Sequence, residues 1–169
     1  METKAGNKGM TLIEIMVVMI LISLMLFFTI PNIQSWVFSG DSRDVTRWLT
    51  VKVKVLKENA LIDQKTYILH INFDAEKFFI TNEAMSEEEA AKAMENGFSL
   101  PETIRVADVE YPGGGIVTTG ETEIYFYPRG YSDGAIIHVM TGENEYRSYI
   151  IEPFLNKLKT VEGYYRVES

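Results

Sequence analysis

From Ile15 to Ile30 every residue is apolar except Ser23 and Thr29, and a carboxylate, Glu14, stands at the head of the run. Met10 to Phe28 makes 19 residues, close to the length that crosses a hydrocarbon core of about 30 Å. No other stretch of the 169-residue chain competes with it. Lys4 and Lys8 precede the run and predict that the N-terminus stays cytoplasmic, with the remainder of the chain on the other side of the membrane.

A cleaved secretory signal would have a shorter apolar core followed by a small-residue site of A-x-A type. Here Phe28 is followed by Thr-Ile-Pro-Asn-Ile-Gln, which offers no such site. An uncleaved signal anchor explains the apolar run and the lysines but leaves Glu14 unexplained. A carboxylate in hydrocarbon costs roughly 2.5 kcal/mol or more on insertion scales. Two readings of Glu14 stand at this point. It reaches out to the headgroups from the helix end, or it meets a positive partner within an assembly.

Hydrophobic residues make up 46% of the chain and charged residues 24%, a balance that suits a folded protein. The absence of cysteine excludes disulfides, Cys-based zinc sites and thiol catalysis. Net charge is −8, and beyond Glu14 the chain carries 14 basic and 22 acidic residues. Such a domain is repelled by nucleic-acid phosphates and anionic lipid, which argues against a nucleic-acid partner.

The residues around Glu14 separate its two readings. "KGMTLIE", Lys8 to Glu14, resembles the leader and cleavage motif of the type IV pilins and type II secretion pseudopilins. The resemblance implies that a prepilin peptidase cuts after Gly9 and that Met10 becomes the methylated N-terminus. It makes Glu14 the fifth mature residue, and Pro31 the helix-perturbing proline common in these proteins. Met10 departs from the usual Phe but is also large and apolar. Cleavage would place a free α-amino group near Glu14. That amine can pair with the carboxylate of a neighbour inside a bundle of apolar helices, where a charge left alone is costly.

Beyond Pro31 the sequence turns amphipathic. Val45, Trp48, Leu49, Val53, Leu56 and Ala60 follow helical spacing. Arg43, Arg47, Lys54, Lys57 and Glu58 fall mostly off that stripe. "LTVKVKVLK", Leu49 to Lys57, also alternates like a strand, but length and the surrounding stripe favour helix. Gly40-Asp41-Ser42 interrupts the helix or begins its second part, with Ser42 as a candidate N-cap. A helix continuous from Met10 to Asp63 would run about 80 Å.

From Thr66 onward the pattern becomes short strands and turns, predicted at 66–73, 77–81, 103–111, 122–127, 135–140, 146–151 and 156–161. Turn signals lie at Asp74-Ala75-Glu76, Ser132-Asp133-Gly134 and Gly142-Glu143-Asn144. Ser86 and Glu89 have capping-box spacing at the start of a short helix predicted over 86–96. The expected fold is α+β: a long N-terminal helix packed on an antiparallel sheet or a two-sheet head. The expected organisation is a leader at 1–9, a transmembrane and filament-core helix at 10–33, an amphipathic continuation at 34–63 and a β-rich periplasmic head at 64–169.

"IYFYPRGYSDGAIIHV" resembles the F-x-P-x-G-x-S strand and turn of minor pseudopilins of the GspH/FimT type, carried by Phe126, Pro128, Gly130 and Ser132. "YIIEPFLNKLKTVEGYY" resembles their closing hairpin, with Asn156 where Gly is frequent; Asn also tolerates left-handed backbone. The resemblance implies a minor pseudopilin of a type II secretion system, single-pass in a bacterial inner membrane. Its implied partners are other major and minor pseudopilins, the prepilin peptidase and the inner-membrane secretion platform. A minor type IV pilin, acting in pilus priming or DNA uptake, is the alternative.

Enzyme signals are weak. His70 and His138 lie within strand patterns among apolar neighbours and read as sheet-face residues. No H-E-x-x-H or G-x-S-x-G motif occurs, and Gly113-Gly114-Gly115 lacks the Lys-Ser/Thr of a phosphate loop, so it reads as a flexible loop. No D-x-D-x-D-G calcium loop occurs. The expectation is a non-enzymatic protein with no metal, no cofactor and no catalytic residue.

Overall fold

The computed structural model describes residues 12–29, 39–142 and 145–166, with side chains of the first segment described to residue 25. The chain divides into two units, Met1–Ser39 and Gly40–Ser169. In the first unit, α1 (Leu12–Thr29) is built almost wholly from Leu, Met, Ile, Val and Phe. Its described large apolar side chains, Leu12 to Met25, are all exposed. A helix apolar on every side has no face for water and requires lipid or other helices around it. Among the described residues, no helix is long and apolar enough to cross a membrane.

The second unit opens with α2 (Ser39–Asp63). Its buried stripe is the expected one: Val45, Leu49, Val53, Leu56 and Ala60 are at most 2% exposed, while Trp48 is half-buried. Two expectations about this helix fail. Ser42 is not an N-cap: it lies inside the helix, buried, with its Oγ accepting from Arg147 at 2.6 Å. Lys57 is not on the solvent side either. It is 2% exposed, as buried as its neighbour Leu56.

The strands form two antiparallel sheets. The first has four strands: β1 (Tyr67–Asn72), β2 (Lys77–Asn82), β3 (Phe98–Ser99) and β6 (Glu121–Phe126), in the order β3-β2-β1-β6. The second has five: β4 (Ile104–Tyr111), β5 (Gly115–Val117), β7 (Ala135–Thr141), β8 (Glu145–Ile151) and β9 (Leu158–Glu162), in the order β5-β4-β7-β8-β9. One core joins α2 to both sheets. Leu69, Ile71, Phe78, Ile124 and Phe126 come from the first, and Ile104, Val109, Ile137, Val139, Tyr149 and Ile151 from the second. Trp48 of α2 stacks on Phe98 and Phe78, with ring centroids 4.9 and 5.6 Å apart. The Thr46 hydroxyl meets the Tyr149 hydroxyl at 2.8 Å on the other side.

The short helix α3 (Glu87–Glu95) has the full capping box. The Ser86 N–H donates to the Glu89 carboxylate at 2.8 Å, and the Glu89 N–H donates to Ser86 Oγ. That carboxylate is held below its ordinary pKa chiefly by the backbone hydrogen bond from Ser86. The chain then returns through Gly97, where an added Cβ would fall 2.8 Å from the Phe78 carbonyl oxygen. Only glycine lets the end of α3 approach β2 this closely.

Phe126 bridges to Ser132 across the turn expected from the F-x-P-x-G-x-S pattern. Gly130 sits there at φ +81°, and the Tyr127 N–H closes the turn on the Tyr131 carbonyl at 2.9 Å. Beyond it, Asp133 lies along β6: its carboxylate accepts from the Tyr125 N–H at 3.1 Å, and its N–H donates to the Tyr125 carbonyl at 2.9 Å. Pro112 to Gly114 form a tight turn and Gly115 begins β5, so this segment is not a free loop. Among the described residues the non-glycine positions in the left-handed region are Gln64 and Glu76, so Asn156 does not adopt the left-handed turn expected of it.

Candidate functional site

Glu14 lies in the first turn of α1 and is exposed. A carboxylate at that end of a helix complements the helix dipole. Gly9 and Met10, the expected cleavage and methylation residues, and Pro31 lie outside the described residues. The structure therefore describes one of the four residues singled out in the N-terminal segment, and the head holds the rest of the informative chemistry.

The first polar cluster lies on the outer face of the four-stranded sheet. Leu69 and Ile71 of β1 turn into the core, and strand alternation puts His70 between them on the opposite face. His70 pairs in register with Glu123 of β6 and with Phe79 of β2, on whose ring it stacks with centroids 4.3 Å apart. Its Nε2 lies 2.7 Å from Thr81 Oγ1. Its Nδ1 lies 2.8 Å from Glu121 Oε1 and 3.4 Å from Glu123 Oε1. The second oxygen of each carboxylate is held by another donor: Asn72 Nδ2 to Glu121 at 3.0 Å, and the Tyr125 hydroxyl to Glu123. That last bond is the main cause that pushes the Tyr125 hydroxyl up to about 12.

The second cluster lies on the outer face of the five-stranded sheet, under the C-terminal segment. His138 and Ser148 are fully buried, with Nδ1 and Oγ 2.9 Å apart. The side chains suggest a Ser-His-acid arrangement, but the hydrogen bonds exclude one. Ser148 Oγ donates its proton to the Gly163 carbonyl at 2.7 Å and accepts from the Tyr165 N–H at 2.9 Å. Its remaining lone pair therefore accepts from His138 Nδ1–H, and the hydroxyl has no proton to give to the ring. Tyr164 covers the imidazole at 3.9 Å between ring centroids. Nε2 is left 3.7 Å from both Asp108 Oδ1 and Glu110 Oε2, without a hydrogen bond. Burial holds His138 below its ordinary pKa, against the raising effect of Asp108 and Glu110. This is a neutral histidine that locks the chain end onto the sheet.

The third feature is Lys57. Its ammonium donates to the carbonyls of Glu152 and Leu155 at 2.6 Å and to that of Pro153 at 3.3 Å. Burial lowers its pKa, with Glu152 acting in the opposite sense. The loop it holds presents Phe154 at 82% and Leu155 at 53% exposure, and Phe154 extends an aromatic row through Tyr131 and Tyr127.

Sequence reasoning placed both histidines on sheet faces but missed what surrounds them. His70 and Glu121 are 51 residues apart, and only the register of β1 with β6 brings them together. Lys57 carried no sequence signal, since its acceptors are main-chain carbonyls.

Residues 4–30 match the family model described as the prokaryotic N-terminal methylation motif. The fold is similar to two structures of the minor pseudopilin EpsH from the type II secretion system of Vibrio cholerae. In one, the TM-score is 0.53 at 12% identity, covering 76% of this chain and 100% of that one. In the other it is 0.52 at 12% identity, covering 75% and 97%. No curated protein sequence matches the chain. The chain thus joins an N-terminal methylation motif to a fold similar to that of EpsH.

Proposed function

We propose that this chain is a minor pseudopilin of a type II protein secretion system, a structural subunit and not an enzyme. The observation that carries the reading is the joining of a methylation motif to a head of EpsH-like fold in one chain. After cleavage at Gly9 and methylation of Met10, the apolar helix serves first as a single-pass anchor in the inner membrane and then as part of a filament core. Glu14 accepts the new amino terminus of a neighbouring subunit, and the β-rich head faces other pseudopilins in the periplasm. The secretion platform supplies the force that draws the subunit out of lipid, and growth of the filament drives export of folded proteins.

The test begins with mass spectrometry of the N-terminus in cells with and without prepilin peptidase. A methylated Met10 only when the peptidase is present is expected; an intact Met1 in both would refute processing. Glu14→Ala is expected to leave membrane insertion intact and to reduce crosslinking to the major pseudopilin by at least tenfold. Unchanged crosslinking would remove Glu14 from assembly. Deletion of the gene should abolish exoprotein secretion. Loss of surface pili with secretion intact would instead assign the chain to a minor type IV pilin.

A further inference from the structure

We propose that His70, Glu121 and Glu123 form a binding site for a divalent first-row transition metal, with Zn2+ the best fit, on the outer face of the four-stranded sheet. Each offers one ligand atom, and the three atoms all lie within 4.8 Å of one another. Two of the separations are 2.8 and 3.4 Å, from Nδ1 to Glu121 Oε1 and Glu123 Oε1. A tetrahedral ion with ligands at about 2.0–2.1 Å needs them roughly 3.3 Å apart. The pair with Glu123 already has that spacing. The pair with Glu121 opens to it by a shift of about 0.5 Å.

The surroundings are those a metal site requires. Every ligand has its other polar atom held: Nε2 by Thr81, Glu121 Oε2 by Asn72 and Glu123 Oε2 by Tyr125. A ligating histidine donates its second N–H to a fixed acceptor, which leaves the other nitrogen bare toward the metal. Thr81 Oγ1, 2.7 Å from Nε2, is placed to be that acceptor in the Nε2–H tautomer, and the ring is further fixed by its stack on Phe79. In that tautomer the bare Nδ1 faces two carboxylate oxygens, a repulsive arrangement that a cation between them converts into coordination. The chemistry of one imidazole nitrogen with two carboxylates selects zinc or a neighbouring first-row ion over calcium, which takes oxygen ligands in larger number. The ligands come from β1 and β6, so the ion would clasp β6, an outermost strand of its sheet, to its neighbour. The proposal does not depend on how the protein assembles.

The experiment uses the full chain in detergent, freed of metal by chelation, titrated by calorimetry with zinc chloride, manganese chloride and calcium chloride separately. One zinc per chain is expected, with calcium at least tenfold weaker. The Glu121→Gln/Glu123→Gln double variant keeps shape and hydrogen bonding at half-exposed positions and should bind zinc at least tenfold more weakly. At 100 times the dissociation constant, zinc should raise the head's melting temperature by about 5–10 °C in the wild type and by much less in the variant. Nitrogen-15 spectra of His70 should show the metal on Nδ1 and the proton on Nε2. Absence of saturable zinc binding, equal binding by the double variant, or tighter binding of calcium would each overturn the proposal. Any of these would leave His70 as a hydrogen-bonded ring that donates Nδ1–H to Glu121.

Discussion

Lys57 is the residue whose replacement most directly tests how the head is held together. Its ammonium has three N–H donors and meets three main-chain carbonyls, two at 2.6 Å and one at 3.3 Å. Hydrogen bonds from a charged donor contribute about 1.5–3 kcal/mol each, and the long one contributes least. Against them stands the cost of keeping an ammonium out of water, which is why its pKa is lowered. Lys57→Met keeps the apolar stem but leaves the carbonyls of Glu152 and Leu155 without their donor. The net loss should be about 3 kcal/mol. For a unit spanning Gly40–Ser169 this corresponds to a melting temperature lower by about 10 °C. Near-ultraviolet circular dichroism reads the transition, because the aromatic stacks lie in the head. Lys57→Arg keeps the charge but presents a planar fork to acceptors arranged around a point, so it should fall between wild type and Lys57→Met. A Lys57→Met protein that melts within about 1 °C of wild type would show that the carbonyls rehydrate at no cost and that the tether contributes nothing.

Two further outcomes follow from the packing. His138 ordinarily titrates near 6.5 but is held lower in the folded protein. As pH falls below 6.5 the unfolded chain takes a proton that the folded chain refuses, so stability should decline in that window, and it should be regained as pH rises back through it. Denaturant titrations from pH 6.5 to 5 should show a shallower decline in His138→Gln than in wild type; identical slopes would mean that Asp108 and Glu110 cancel the burial effect. Gly97→Ala should destabilise the head by about 1–3 kcal/mol, because the new methyl meets the Phe78 carbonyl at 2.8 Å and the Phe79 Cβ at 3.1 Å. A neutral result, by the same denaturant assay, would show that α3 moves away freely.

Local rules read well in this chain. The stripe from Val45 to Ala60 follows 3.6-residue periodicity and is buried as expected. The Ser86–Glu89 capping box closes as its spacing requires. The principal strands fall within a few residues of their expected bounds because alternation and turn residues are local signals. What the sequence hid is non-local. β3 and β5, of two and three residues, are too short to show a period. They exist because β2 and β4 offer them a partner. Ser42 and Asn156 had the right residue type for a cap and a left-handed turn, but tertiary contacts gave Ser42 an arginine partner instead. Lys57 looked like solvated charge because nothing local marks the loop carbonyls nearly a hundred residues further on. The His70 cluster is a product of strand register, which no single-strand pattern contains.

The pairing of Asp133 with both main-chain groups of Tyr125 has a consequence for how two copies of the head can meet. An outer strand with open N–H and C=O groups is a template on which another chain can add a strand. Along β6 that template is interrupted at Tyr125, whose donor and acceptor are both taken by Asp133. At the other end of the same sheet, β3 is only two residues long. Margins blunted in this way deny the four-stranded sheet an amyloid-like route, so that copies at high local concentration are kept from fusing along its edges.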